Sequence, residues 1–200
     1  QWEYARIESV QGNQLFLTEP LRKSYTTPGT QVILVPEYTN LTIRENASIT
    51  APAWNGETGG IVAFFVQNTL RNLGQIDVQA KGFRGGITRQ VSNQNGCIGF
   101  SETPLRGAQR GEGLFVDQYG ENFAGRGNFV QGAGGGICSH AGGGGGGHGA
   151  QGGQGGYSTE EDGLRNVGGL GGNELLYNLT ERLSFGGGGG GDGCFAGFPE

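Results

Sequence analysis

The chain has no methionine, only two lysines (Lys23 and Lys81), two histidines, two tryptophans and three cysteines in 200 residues. Each shortage excludes something. Phosphate binding needs clustered Lys and Arg, and the formal net charge here is −5, so nucleic acid is not expected as a partner. No apolar run approaches the roughly 20 residues that cross a bilayer, so no membrane span is expected. Cys97, Cys138 and Cys194 form no CxxC pair, which leaves a zinc site without support. The missing methionine and the start at Gln1 fit a processed or excised product, with signal cleavage one way to generate it. Hydrophobic residues make up 34%, below the roughly 45–50% of globular chains, a reference that also counts glycine. Low hydrophobicity suggests disorder. However, charge is modest and aromatics reach 10%, spread through the chain, which no flexible linker shows.

What the chain has instead is glycine. Of its 45 glycines, 39 lie between Gly82 and Gly197. The composition shift predicts two domains, a β-rich one over 1–81 and a glycine-rich one over 82–200. In the first, strands are expected at 4–10, 14–18, 31–35, 39–43, 48–51, 61–66 and 75–80, separated by Gly, Pro and Asn breakers. Gln11-Gly12-Asn13 has hairpin composition. Short, evenly spaced strands predict an all-β sandwich or a short β-solenoid with almost no α-helix. The one segment with much helix potential is 173–182.

In the second part, glycine runs are broken by single small or polar residues: GGGGGGHG at 142–149, GGQGG at 152–156, GGLGG at 168–172 and GGGGGGDG at 186–193. Such runs can adopt polyglycine II, a left-handed threefold helix with a rise of about 3.1 Å and no internal hydrogen bonds. Its N–H and C=O groups point sideways and must be satisfied by neighbouring helices. We therefore expect a polyglycine-II helix bundle, concentrated in 132–193, with 157–166 and 173–184 reversing the chain. Ordering each residue costs roughly 1–2 kcal/mol, while each hydrogen bond nets only about 1 kcal/mol. Aromatic packing, a disulfide or a neighbouring surface must supply the difference.

No constellation points to catalysis or to a cofactor. A phosphate loop needs Gly-Lys-Ser/Thr, and the chain has no Gly-Lys pair. His140, His148 and Cys138 could be metal ligands but read as polar insertions between glycine segments. Glu160, Glu161 and Asp162 are contiguous and read as a solvated loop rather than a calcium or glycosidase site. Trp2, Tyr4, Trp54, Phe64 and Phe65 could form a sugar platform, with core or interface packing the plainer role. At least one disulfide is expected among Cys97, Cys138 and Cys194 in an oxidising compartment. Three sequons, at Asn40, Asn46 and Asn178, are glycosylation candidates in a glycosylating host. The terminal strand-like segment carrying Trp2, Tyr4 and Ile7 is a candidate connector that adds to a sheet of a neighbouring subunit.

The wording YARIESVQGNQLFLTEPL, QVILVPEYTNLTI, ITAPAWNGETGGIVAFFV and IDVQAKGFRGG resembles bacterial secreted glycine-rich proteins that place a β-domain before a glycine-rich one. GGGGGGHGAQGGQGG and LSFGGGGGGDG resemble the polyglycine-II bundles of T-even-type phage tail-fibre adhesins. The glycine-rich extracellular domain of the anaplastic lymphoma and leukocyte tyrosine kinases is a weaker parallel. The resemblance implies an extracellular or cell-surface location and no catalysis. The expected function is a secreted structural protein that assembles with copies of itself into a filament or surface layer. The alternative is an adhesin or receptor-binding tip that recognises cell-surface glycan or protein.

Overall fold

A computed structural model describes residues 2–27, 29–90, 107–115, 117, 119–120, 123–137, 140–157, 168–176 and 184–194. The chain divides into two compact units, Gln1–Val32 with Tyr177–Ser184, and Ile33–Leu176 with Phe185–Glu200. Residues 33–81 thus make their contacts in the same unit as most of the glycine-rich sequence, although composition shifts at 81. Among the described residues there is no α-helix, and all named elements are strands.

The first unit contains a hairpin. Strands β1 (Ile7–Gln11) and β2 (Gln14–Leu17) pair antiparallel. Gly12, with φ of 57°, lets the chain reverse where a side chain would be strained. A register shift between Ile7 and Ser9 marks a bulge. Ahead of the hairpin, the Glu3 carboxylate accepts the backbone N–H groups of Arg22 and Lys23 at 2.9 and 3.0 Å. The Lys23 ammonium donates to the Trp2 carbonyl at 2.8 Å.

The second unit begins with a ribbon. Strands β3 (Glu37–Ile43) and β4 (Ser48–Ile49) form one rung, and β5 (Phe65–Asn72) and β6 (Gln75–Ile76) form the next. β3 pairs with β5 and β4 with β6, both parallel. Rungs running side by side in one direction are solenoid geometry; facing sheets of a sandwich are built from antiparallel pairs. Between the strands both rungs turn a corner. In the first, Ala47 donates to Arg44 C=O at 3.1 Å and Asn46 takes a φ of 64°. In the second sits Gly74, where a Cβ would collide with the Ala47 and Arg44 carbonyls.

Three local expectations are corrected. Residues 31–35 form no strand: their exposure alternates as in a strand, but no partner segment is hydrogen-bonded in a ladder. The strand expected at 61–66 starts at Phe65 and runs on to Asn72. Of the segment 173–182 with helix potential, residues 173–176 are not helical, because the Asn173 and Leu175 N–H groups donate to Val130 and His148 instead of to a helical turn, and 177–182 lie outside the described residues. The last two strands, β7 (Arg89–Gln90) and β8 (Gly193–Cys194), pair parallel.

The core of this unit is unusual in composition. Its buried hydrophobic residues are mainly alanines: Ala51, Ala108, Ala124, Ala133 and Ala141, with Ile43 and Ile137. Backbone fills the space that large side chains fill elsewhere.

Candidate functional site

The glycine segments are hydrogen-bonded to one another outside any strand ladder, with a rhythm of three residues. In 141–148, Gly144 and Gly147 donate to Gly134 and Gln131 on one neighbour, at 2.9 and 2.8 Å. Gly142 and Gly145 donate to Gly156 and Gly153 on another, at 3.1 and 2.8 Å. In 185–193, Gly187, Gly190 and Gly193 donate to Gly147, Gly144 and Ala141, while Gly188 and Gly191 donate to Glu112 and Gln109. Every third N–H therefore points to the same neighbour, and successive residues point to different ones.

Segment 131–137 is central and buried throughout. It bonds to 107–113 through Ala108→Gly136 and Gly111→Ala133, to 185–193 through Ala133→Gly188 and Gly136→Gly191, to 168–175 through Gly134→Leu170, and to Gly125 through Gly135. Glycine is required by this closeness. A Cβ on Gly134 would fall on the Arg126 carbonyl, on Gly144 on the Leu170 carbonyl, and on Gly188 on the Arg84 carbonyl. On the rim the requirement ends. Gly149, Gly153, Gly156 and Gly186 have no heavy atom within 4 Å of a Cβ position.

Where the lattice runs out of backbone neighbours, side chains take over. The Gln109 Oε1 accepts from Ile87 N–H at 3.0 Å, and the Asp192 Oδ1 accepts from Gly143 N–H at 2.8 Å. Arg126 Nε donates to Gly168 C=O, and Asn128 Nδ2 to Gly171 C=O, at 2.8 and 2.7 Å. The Arg110 guanidinium lies 5.0 Å from the Phe129 ring centre.

The strongest polar node is Glu112. Its side chain is fully buried, and its carboxylate accepts from Trp54 Nε1 at 3.0 Å, Arg84 N–H at 2.9 Å, and Arg84 Nε and Nη2 at 3.0 Å each. Arg84 Nη1 donates to the Asn55 carbonyl at 3.0 Å, and the guanidinium stacks 4.3 Å from the Tyr119 ring centre. The hydrogen bond to Glu112 holds the Arg84 pKa above the ordinary guanidinium value, against the opposing pull of burial. Burial raises the Tyr119 hydroxyl, which donates to Gly85 C=O at 2.6 Å. Trp54, Phe83 and Phe185 pack edge to face beside this node, with centroids 5.0–6.2 Å apart. Trp54 thus joins an aromatic cluster. The node ties the loop after the ribbon to the glycine lattice.

The candidates read from sequence are scattered. Trp2 and Tyr4 meet edge to face at 5.1 Å. Ile7 lies opposite Leu17 in its own hairpin, the local pairing that accounts for this segment without a neighbouring subunit. Asn40 is exposed on β3, and Asn46 is exposed at the first corner. That corner borders an open depression of about 540 Å³ lined by residues of 45–48 and 73–75. Cys97, Cys138, Asn178 and Glu160–Glu161–Asp162 lie outside the described residues, as does the Cys194 side chain. His140 is exposed, with φ of 59°. Among the described residues, no three His, Cys, Asp or Glu side chains gather as a metal site, and no helix is long and apolar enough to cross a membrane. Sequence reasoning missed Glu112 and Arg84. The signal was a carboxylate between two glycines, Gly111 and Gly113, where no neighbouring side chain could shield it unless a distant partner came in.

Neither a protein-family model, a curated protein sequence nor a solved structure matches this chain.

Proposed function

We propose that this is a secreted structural protein that assembles with copies of itself into an extracellular filament or surface layer, and that its glycine lattice is a polyglycine-II bundle. The observation behind this reading is the three-residue hydrogen-bond rhythm across 107–113, 131–137, 141–148, 152–156, 168–172 and 187–193. Three residues per turn with sideways hydrogen bonds is polyglycine-II behaviour, and a side-chain-poor lattice of this kind serves cohesion. The two-stranded hairpin carrying Trp2, Tyr4 and Ile7 and the two-stranded parallel ribbon both offer sheet edges to a neighbouring copy. We assign no catalytic activity and no cofactor.

The second reading is an adhesin or receptor-binding tip that takes cell-surface glycan or protein. It is favoured by Leu114 and Phe115, which are 47% and 55% exposed just beyond the buried segment 107–113. Electron microscopy and sedimentation of concentrated intact protein separate the two. Regular fibres or sheets support assembly. A discrete species that binds cells and loses binding in a Leu114→Ser, Phe115→Ser variant supports the adhesin.

A further inference from the structure

We propose that the outer edge of the β5–β6 rung receives, in parallel, the β3–β4 rung of a second copy of this chain, so that copies stack head to tail. This rests on the assembly reading above and names the surface that carries it.

Parallel sheets are normally covered on both faces, and a sheet of only two strands is marginal in water. Here β5 is exposed at seven of its eight positions. Along this rung, Phe65, Leu70, Leu73, Ile76 and Val78 are 43–47% exposed. β5 reads FVQNTLRN, with no proline and a single charge, Arg71, to blunt its edge. Stacked rungs bury their faces only against further rungs, and end rungs need polar caps. The apolar row makes this end an uncapped one.

The chain itself shows what fits there. Its own first rung sits on its second with like residues in line: Leu41 opposite Leu70 and Ile49 opposite Ile76. The first rung of another copy, laid on the free edge of β5–β6, would continue both rows. Charge agrees. Across 37–49 there are two carboxylates, Glu37 and Glu45, and one arginine, Arg44; across 65–76 there is Arg71 and no carboxylate. The approaching rungs are therefore of opposite net sign. The incoming rung brings Tyr38, 40% exposed, to this row, and a contiguous exposed apolar row marks an interaction site. A head-to-tail contact of this kind does not close, so it propagates.

The test mixes two full-length variants. Gln75→Cys and Ser48→Cys sit opposite each other within one chain, so neither single variant can form that bridge internally. Under mild oxidation the mixture should give a heterodimer disulfide well above that of either variant alone or of wild type, whose native cysteines set the background. Ile76→Lys should cut assembly at least tenfold in concentration dependence while the monomer keeps its wild-type circular dichroism. If Ile76→Lys does not fold, the cross-link decides alone. Assembly without the mixed cross-link, or a Ser48→Cys variant that bridges to itself, overturns this interface and leaves the assembly reading standing. An intact protein that stays monomeric at high concentration overturns both.

Discussion

Arg84 holds Glu112 by two side-by-side hydrogen bonds, Nε to Oε2 and Nη2 to Oε1, each 3.0 Å. The carboxylate is fully buried, whereas the guanidinium side chain is 37% exposed. Removing one partner of a buried pair typically costs about 3–5 kcal/mol, and the exposure of Arg84 brings the expected cost of Arg84→Ala to about 2–3 kcal/mol. That variant strands the carboxylate, with the Trp54 indole as its remaining side-chain donor. Glu112→Ala instead leaves the guanidinium partly hydrated and should cost about 2 kcal/mol. Urea unfolding of each variant checks this, and a loss below 0.5 kcal/mol in both would show that the node is dispensable. The Arg84 pKa is raised above the ordinary guanidinium value by the hydrogen bond to Glu112, so its stabilisation is complete at every pH below that ordinary value and fades only in strong alkali. Its contribution should be flat across the neutral range.

Glycines of the lattice interior and rim should respond oppositely to substitution. Gly144→Val and Gly188→Val drive a branched Cβ into the Leu170 and Arg84 carbonyls, and overpacking against backbone should cost at least about 3 kcal/mol. Gly153→Ala and Gly156→Ala meet open space, and neither residue has a positive φ. These should be neutral or stabilising by about 0.4–1 kcal/mol through reduced freedom of the unfolded chain. Equal effects at the two sets of positions in thermal melts would contradict the lattice.

Val130 carries a φ of 49°, a region that a β-branched side chain rarely enters. It sits in the tight turn where Phe129 and Gly132 exchange backbone hydrogen bonds of 2.8 Å. Val130→Gly should therefore raise stability by about 1 kcal/mol, read as a higher urea midpoint. A lower midpoint would mean that the side-chain contacts of Val130 outweigh the strain.

Glu3 titrates below the ordinary carboxylate value of 4.5, mainly because it accepts the Arg22 N–H; burial opposes this, and hydrogen bonds from Tyr25 and the Lys23 N–H, with the Lys23 charge, add to the lowering. A depressed carboxylate stabilises the fold above its unfolded pKa, and that contribution is lost as pH falls through the folded one. Hydrogen exchange at the Arg22 and Lys23 amides should accelerate, relative to amides elsewhere in the chain, as pH falls through the lowered Glu3 pKa, once the intrinsic pH dependence is removed. Glu3→Gln should abolish that step. A step that persists in Glu3→Gln would assign it to another group.

Under the secreted reading proposed above, mass spectrometry of the unreduced protein should find at least one disulfide among Cys97, Cys138 and Cys194. Three alkylatable thiols would contradict both the staple and the oxidising compartment.

The short, evenly spaced strands pointed to almost no helix, and the described residues hold no α-helix; composition alone determined that glycine segments would have to satisfy one another, because a residue without a side chain offers a neighbour only its backbone. The hairpin was legible for a local reason: Gly12 sits between two apolar-alternating runs, and both partners lie within a few residues. The segment at 31–35 reads as a strand by the same alternation yet pairs with nothing in a ladder, since pairing depends on a partner that propensity cannot name. Which glycine segment lies beside which, the parallel stacking of 37–49 on 65–76, and the meeting of Glu112 with Arg84 and Trp54 were decided only by tertiary structure. Those contacts join residues far apart in sequence, and in a run of identical glycines no local pattern distinguishes one register from the next.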